Sequence, residues 1–204
     1  MTANDDYERQ LWPNYQYIGS CDESGCGSLG LEVFCSVVIF PPYIDYKNLL
    51  PGLNDSKQKT PQQRLELYPK IKQYALDYSV ATASVQEIDE LNIYWAKFLA
   101  FRRAIDSLTI KPDYILIDGD KEIPEIKIEQ KALVKGDSLS ISIAAASILA
   151  KVDHDARVDE ISKLVHPDYE WNKNKTYYSA EHIAALKKHG KTQWHREKYV
   201  RKFL

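Results

Sequence analysis

The stretch Tyr17-Ile18-Gly19-Ser20-Cys21-Asp22-Glu23-Ser24-Gly25-Cys26-Gly27 constrains this chain more than any other. An apolar run leads into two adjacent carboxylates, and glycine then stands at alternate positions. The run reads as a buried strand and the glycines as its breaker. Neighbouring side chains on a strand leave opposite faces of the sheet, so Asp22 and Glu23 converge on one ligand only where the strand ends. Gly25 and Gly27 are expected to supply that end and to let the backbone approach a ligand closely. The arrangement points to a metal ion held beside a sugar–phosphate backbone. A strand leaving a sheet through a solvated turn has the same appearance.

The remaining chain supplies an α/β frame for that strand. Residues 32–40 form a second, strongly apolar strand that Pro41-Pro42 stops. Thr60-Pro61-Gln62-Gln63 is a capping box that opens a helix to about residue 77. Residues 78–84 read as a third strand. Ser84 and Glu87 form another capping box, and Ile88, Leu91, Trp95, Phe98, Leu99 and Ile105 then mark one face of a single amphipathic helix. Residues 114–117 form a short strand ending at Asp118-Gly119-Asp120, and residues 128–134 an edge strand ending at Lys135-Gly136-Asp137. The longest helical pattern covers 139–165, with an apolar, buried first half, and His166-Pro167 ends it. Shorter helices are expected at about 179–189 and 192–202, and residues 1–14 as a loose lead-in anchored by Trp12 and Pro13. Strands alternating with helices indicate an α/β sheet. The first two strands are close enough to form a hairpin, so the sheet is expected to be mixed.

Of 204 residues, 44% are apolar and 27% charged, the balance of a soluble globular protein. No apolar run is long enough to span a bilayer, and the polar, acidic start from Met1 to Gln10 is no secretory signal. The three cysteines, Cys21, Cys26 and Cys35, are odd in number and fit no zinc spacing, which points to a reducing cytoplasm. The net charge of −2 argues against a generic polyanion binder. Its distribution is uneven: residues 166–204 hold nine Lys or Arg against four Asp or Glu, a net of +5 that leaves −7 for the remainder. An acidic body with a basic tail suits metal binding at one site and phosphate binding beside it.

Three strand-like runs end in carboxylate: Asp22 with Glu23, Asp118, and Asp137 at the mouth of the buried helix. Ligand sites in α/β sheets gather at strand ends. Singly, Asp118-Gly119 is a common turn and Asp137 a good helix cap. Together, four carboxylates in one cleft would repel one another unless divalent cations relieved the repulsion. Oxygen-only ligation selects Mg²⁺ or Mn²⁺ over zinc. Two such ions about 4 Å apart can clamp the attacking and leaving oxygens of a phosphodiester.

At this point the sequence resembles the type 2 ribonucleases H, the ribonuclease HII family, over almost its whole length from about Glu8. Asp22-Glu23-Ser24-Gly25-Cys26-Gly27 is similar to the family's Asp-Glu-Ala-Gly-Arg-Gly signature, and Leu53-Asn54-Asp55-Ser56-Lys57 to its Leu-x-Asp-Ser-Lys. Ile117-Asp118-Gly119 resembles its third acidic position, and Lys135-Gly136-Asp137 followed by Ser142-Ile143-Ala144-Ala145-Ala146-Ser147-Ile148-Leu149-Ala150-Lys151-Val152 the fourth with its helix. Asn174-Lys175-Thr176-Tyr177 with His182 resembles the Lys-Gly-Tyr…His element, and His195-Arg196 the closing His-Arg. The resemblance implies a ribonuclease H-like α/β fold, with a mixed central sheet flanked by helices and a helical C-terminal appendage. It implies a catalytic body at residues 1–165, with the basic extension 166–204 packed on it in the same domain. The implied activity is endonucleolytic hydrolysis of the RNA strand in RNA–DNA hybrids, and of ribonucleotides embedded in duplex DNA, leaving 5′-phosphate and 3′-hydroxyl ends. Asp22, Glu23, Asp118 and Asp137 would hold Mg²⁺ or Mn²⁺. Gly25, Cys26 and Gly27 would lie against the ribose bearing the 2′-hydroxyl, Ser56 and Lys57 would meet a substrate phosphate, and Tyr177 would pack on the adjoining sugar. A monomer acting in the cytoplasm, away from membranes, completes the expectation.

The departures from that pattern matter. Cys26 stands where the family has arginine, so a cationic fork of five donors becomes one weak donor. Thr176 replaces a glycine before Tyr177, and Leu31-Glu32 replaces Gly-Pro. A catalytically weakened hybrid-binding protein is therefore an alternative. A type III ribonuclease H is another, although the Asp-Ser-Lys loop and the Ser-Ile-Ala-Ala-Ala-Ser helix favour type 2. His182, His189 and His195 fit no metal motif and are expected on helix surfaces, and Trp95 and Trp194 in the core. Lys173, Lys175, Lys187, Lys188 and Lys191 would add nonspecific phosphate attraction that salt screens.

Overall fold

A computed structural model describes residues 3–204; the side chain of Lys47, and Met1 and Thr2 of the expected polar lead-in, lie outside the described residues. Strands β1 (Ile18–Ser24), β2 (Val33–Ile39), β3 (Asp77–Ala83), β4 (Tyr114–Asp118) and β5 (Glu129–Leu133) build one sheet in the order β3-β2-β1-β4-β5. β1 pairs antiparallel with β2 and parallel with β4, so the sheet is mixed about its central strand. The helices are α1 (Asp6–Leu11), α2 (Tyr46–Leu49), α3 (Pro61–Tyr74), α4 (Val85–Leu91), α5 (Ile93–Ser107), α6 (Ile141–Ile161), α7 (Trp171–Asn174), α8 (Ala180–His189) and α9 (Glu197–Val200).

Strand alternation sorts the two layers. Cys21, Cys35 and Val37 point into an apolar cluster with Phe98, Phe101 and Ala104 of α5. Ser20 and Ser36 point the other way, onto α6. Ser20 Oγ lies 2.7 Å from Ser142 Oγ, and Ser36 Oγ donates to the Ala146 carbonyl at 2.6 Å. The small residues Ala144-Ala145-Ala146 let α6 lie close against the sheet, and all three are fully buried. Residues 166–204 close one end of the molecule, where Tyr169, Trp171, Leu186 and Val200 pack on Leu29, Leu31, Val158 and Ile161. No helix among the described residues is long and apolar enough to cross a membrane.

Several sequence expectations are corrected. The lead-in is not loose: α1 buries Glu8, whose carboxylate receives Ser140 Oγ at 2.6 Å and the Ser142 amide at 3.1 Å. The single helix expected after Ser84 is two, because Asn92 adopts φ 67° and ψ 165° and caps the amide of Tyr94 at 3.0 Å. That backbone is one that residues other than glycine rarely adopt, and the Asn92 side-chain carbonyl, a strong cap, holds it in place. The stretch expected as one helix from 192 to 202 keeps only α9 and a 3₁₀ turn. Trp95 is 47% exposed and meets Tyr94 edge-on, outside the core.

Candidate active site

β1 does not end at the paired carboxylates. Its antiparallel pairing continues through Asp22↔Ser36 and Glu23↔Cys35 to Ser24↔Phe34. Pairing with β4 has already stopped at Cys21↔Ile117, which opens a notch beside the last three residues of β1. The two carboxylates therefore leave opposite faces, and the expectation that the strand ends at them is corrected. Asp22 faces α6, and Glu23 faces α5.

Asp118 is the last residue of β4, and Asp137 lies in the 3₁₀ turn Gly136–Ser138 that precedes α6. Oxygens of Asp22, Asp118 and Asp137 lie within 4.8 Å of one another. Glu23 falls outside that set. The Gly136 amide donates to Asp118 Oδ1 at 2.7 Å and ties the two strand ends together. Burial, then Glu23 and Asp118, push the Asp22 carboxyl well above the ordinary carboxylate range. Burial, then Asp118 and Asp55, push Asp137 up to about 6. Burial and like charges forced together both disfavour the ionised form, and a cation between the carboxylates would offset the repulsion. The donors are all oxygens, which fits a hard divalent cation.

A cleft of about 380 Å³ adjoins this cluster. Glu23, Gly25, Cys26, Gly27, Ser56, Lys57 and Tyr177, all singled out from the sequence, line it. Gly25 has φ +92°, and a side chain there would meet the His154 ring at 2.8 Å, so only glycine fits. Gly27 differs: a side chain there would meet only the Tyr177 ring, at an ordinary contact distance of 3.8 Å, so the position has room for a methyl group. Asp55, Ser56 and Lys57 come from one 3₁₀ turn and its cap. Ser147 Oγ on α6 donates to Ser56 Oγ at 2.9 Å, and Arg64 holds the Ser56 carbonyl at 3.0 Å, so this loop is pinned to both α3 and α6.

Of the residues that complete the site, Lys97 was not singled out from sequence, and Lys151 and Arg196 were marked only by the motifs that contain them. Lys97 of α5 brings Nζ to 3.8 Å from Glu23 Oε1. Lys151 lines the cleft and is held by Asp155 at 2.7 Å. Arg196 is fully buried and donates to the carbonyls of Leu31, Cys26 and Ser28 at 2.9, 3.1 and 3.0 Å. It fastens the loop between β1 and β2 from the far end of the chain. Periodicity gives no signal for such a contact; only the His-Arg pair marked the position.

His182 and His195 are buried, which corrects their expected surface placement. Their Nε2 atoms are 3.0 Å apart, and Trp171 Nε1 donates to His182 Nε2 at 3.0 Å. The Tyr177 carbonyl lies 3.1 Å from His182 Nδ1, so Nδ1 carries the proton and Nε2 accepts. His195 must then donate through Nε2, while its Nδ1 accepts the Thr192 amide at 2.9 Å. Tyr177 thus hangs from a pair of neutral imidazoles. Four of the five tail lysines are paired with carboxylates: Lys173 with Glu170, Lys175 with Asp159, Lys188 with Asp168 and Lys191 with Glu197. Their attraction for phosphate is correspondingly muted, and Lys187 alone of the five has no such partner among the described residues.

The family model described as Ribonuclease HII matches residues 18–203, which contain all these positions. The chain belongs to the ribonuclease HII family. It is 45% identical over 194 residues to a ribonuclease HII of Desulfitobacterium hafniense, covering 95% of this chain and 72% of that one. It is 41% identical over 197 residues to a ribonuclease HII of Caldicellulosiruptor saccharolyticus, covering 97% and 93%. The crystal structure of ribonuclease H2 from Pyrococcus horikoshii matches with a TM-score of 0.75 at 25% identity, covering 92% of this chain and 96% of that one. The ribonuclease H-like fold expected from the sequence is therefore the fold observed. Members of the ribonuclease HII family are metal-dependent endonucleases that cleave the RNA of RNA–DNA hybrids, and the match favours type 2 over type III.

Proposed function

We propose that Asp22, Glu23, Asp118 and Asp137 hold Mg²⁺ or Mn²⁺, and that the Gly25-Cys26-Gly27 loop and Tyr177 read the ribose of the strand to be cut. The convergence of Asp22, Asp118 and Asp137 from three separate elements, with oxygens within 4.8 Å, carries this reading. Bound there, divalent cations would supply a Lewis acid for the phosphodiester and an acidified water as nucleophile. The chain's own residues do the rest. The Gly136 amide holds one oxygen of Asp118 and leaves the other free to face the cluster. Lys57 faces Asp22 and Asp137 and offsets part of their charge. Gly27 presents bare backbone beside the Tyr177 ring on the wall of the cleft, and a backbone loop can distinguish a 2′-hydroxyl from hydrogen.

The substrates are RNA–DNA hybrids and duplex DNA with embedded ribonucleotides, and the products carry 5′-phosphate and 3′-hydroxyl ends. The protein acts as a cytoplasmic monomer of one domain, its basic extension packed on the catalytic body; its three cysteines are free, as a reducing compartment requires. Cys26 favours one second reading, a hybrid binder of weakened activity. Labelled hybrid and single-ribonucleotide duplex, incubated with Mg²⁺, Mn²⁺ or EDTA, decide between them. Metal-dependent cutting is expected; salt-dependent binding with neither ion giving cleavage would establish the weakened binder instead.

A further inference from the structure

Ser147, Lys151 and Asp155 follow one another at every fourth position of α6, so they share one face of the helix. The first two line the cleft, and Asp155 does not. It lies behind the wall, where with Arg64 it lines a separate cavity of about 160 Å³. Three side chains converge on its carboxylate. Lys151 Nζ donates to Oδ1 at 2.7 Å, His154 Nδ1 donates to the same oxygen at 3.2 Å, and Arg64 Nη2 donates to Oδ2 at 3.2 Å. Burial alone would raise this carboxyl, yet the hydrogen bonds from His154 and Lys151 hold it below its usual range.

Each of the three donors reaches a different wall of the cleft. Arg64 donates through Nη1 to the carbonyls of Ser56 and Lys59, at 3.0 and 2.7 Å, and so fixes the turn that carries Lys57. His154 is fully buried against the glycine loop: its ring fills the space that a side chain at Gly25 would need, and its Nε2 lies 3.4 Å from Ser28 Oγ. Lys151 lies over the Tyr177 ring, 5.3 Å from its centre. The three walls come from distant parts of the chain and meet through one carboxylate.

We propose that Asp155 is a positioning residue: it sets the Ser56–Lys57 turn, the Gly25–Gly27 loop and Tyr177 at their mutual spacing, and touches neither nucleic acid nor cation. The inference rests on the nuclease reading above, because that reading seats the nucleic acid against these walls. An asparagine at 155 keeps the shape of the side chain but turns one acceptor into a donor. That donor would face Arg64, or Lys151 and His154, and release the wall they hold. The cation cluster is carried by other elements, so the loss falls on substrate binding.

The test is steady-state cleavage of a labelled hybrid in saturating Mn²⁺, with thermal melts to establish folding. Asp155→Asn is expected to raise KM about tenfold and to leave kcat within about twofold. Its affinity for Mn²⁺ without substrate, by calorimetry, is expected to match that of unmodified protein. Arg64→Lys keeps the charge but loses the fork that spans Asp155 and the two carbonyls, and is expected to raise KM about threefold. It carries the test should Asp155→Asn fail to fold. Asp153→Asn is the control: Asp153 also ties α6 to α3, accepting the Tyr68 hydroxyl at 2.6 Å, but does not line the cleft. It is expected to lower the melting temperature and leave KM unchanged. An unchanged KM in folded Asp155→Asn or Arg64→Lys overturns the proposal. An equal rise in Asp153→Asn also overturns it, because any tie between the two helices would then suffice. Absence of cleavage by unmodified protein would instead overturn the nuclease reading, and hybrid affinity of the same variants, by anisotropy, then judges the positioning role.

Discussion

Acidification should loosen the end of the molecule that carries Tyr177, by an amount set by His195. Burial, then neighbouring His182, lower His195 from 6.5 to about 3. A second proton on His182 or His195 would displace an acceptor: His182 Nε2 receives Trp171 and His195, and His195 Nδ1 receives Thr192. As pH falls, the unfolded chain takes up the proton near 6.5, while the folded chain resists until about 3. Stability from this residue is therefore intact above that upper value and drains away through the window below it. At about pH 5 the interval traversed is roughly 1.5 units, worth about 2 kcal/mol at 1.36 kcal/mol per unit. The raised carboxyls Asp22 and Asp137 act in the opposite sense: their contribution is present at low pH and lost as pH rises through their folded values. The His195 effect must therefore be isolated by difference. Urea unfolding of metal-free protein, followed by tryptophan fluorescence at about pH 7 and about pH 5, is compared with that of His195→Gln. Glutamine can still donate to His182 and accept from Thr192 but cannot titrate. The unsubstituted protein should lose about 2 kcal/mol more than the variant over that interval. Equal losses would refute the neutral pair.

Three further outcomes are expected. Asp118→Asn should lower kcat by roughly 10³-fold, the several kcal/mol that metal-assisted charge stabilisation supplies, with hybrid affinity kept, as steady-state rates and anisotropy will show. Asp137→Asn should raise the melting temperature of metal-free protein at neutral pH, because it removes a charge that burial, and then Asp118 and Asp55, disfavour and so lift to about 6, and should shrink the stabilisation that Mg²⁺ gives. Arg196→Met should cost about 3 kcal/mol or more by leaving three carbonyls unpaired, with a weaker affinity for hybrid, measured by denaturation and binding.

The frame of the site was legible because its signals are local. The capping boxes at Thr60 and Ser84 form as the sequence indicates, with Gln63 and Glu87 reaching back to the cap amides at 2.9 and 2.8 Å. The strand runs and the buried first half of α6 follow from their apolar content. Less legible were features settled by a contact between distant residues. Nothing near Asn92 distinguishes a helix interior from a break, since the apolar spacing runs straight across it. His182 and His195 looked like surface positions because polar spacing cannot show that two imidazoles and Trp171 satisfy one another. Glu8 was unreadable for the same reason: its partners, Ser140 and Ser142, lie more than 130 positions away.

The continuation of β1 past its carboxylates has a consequence for how the site tolerates change. A strand that ended at Asp22 would have made one pocket with one set of neighbours. A paired strand instead divides the work. Asp22 answers to α6, through Ser147 and the Asp137 turn, and Glu23 answers to α5, through Lys97 and Cys26. The two faces share Asp118, which raises both Asp22 and Glu23. Substitutions on either side should therefore reach the cation site through the carboxylate which that side carries. The shape of the glycine loop between them is kept from a third direction, by Arg196 on the carbonyls of Cys26, Ser28 and Leu31.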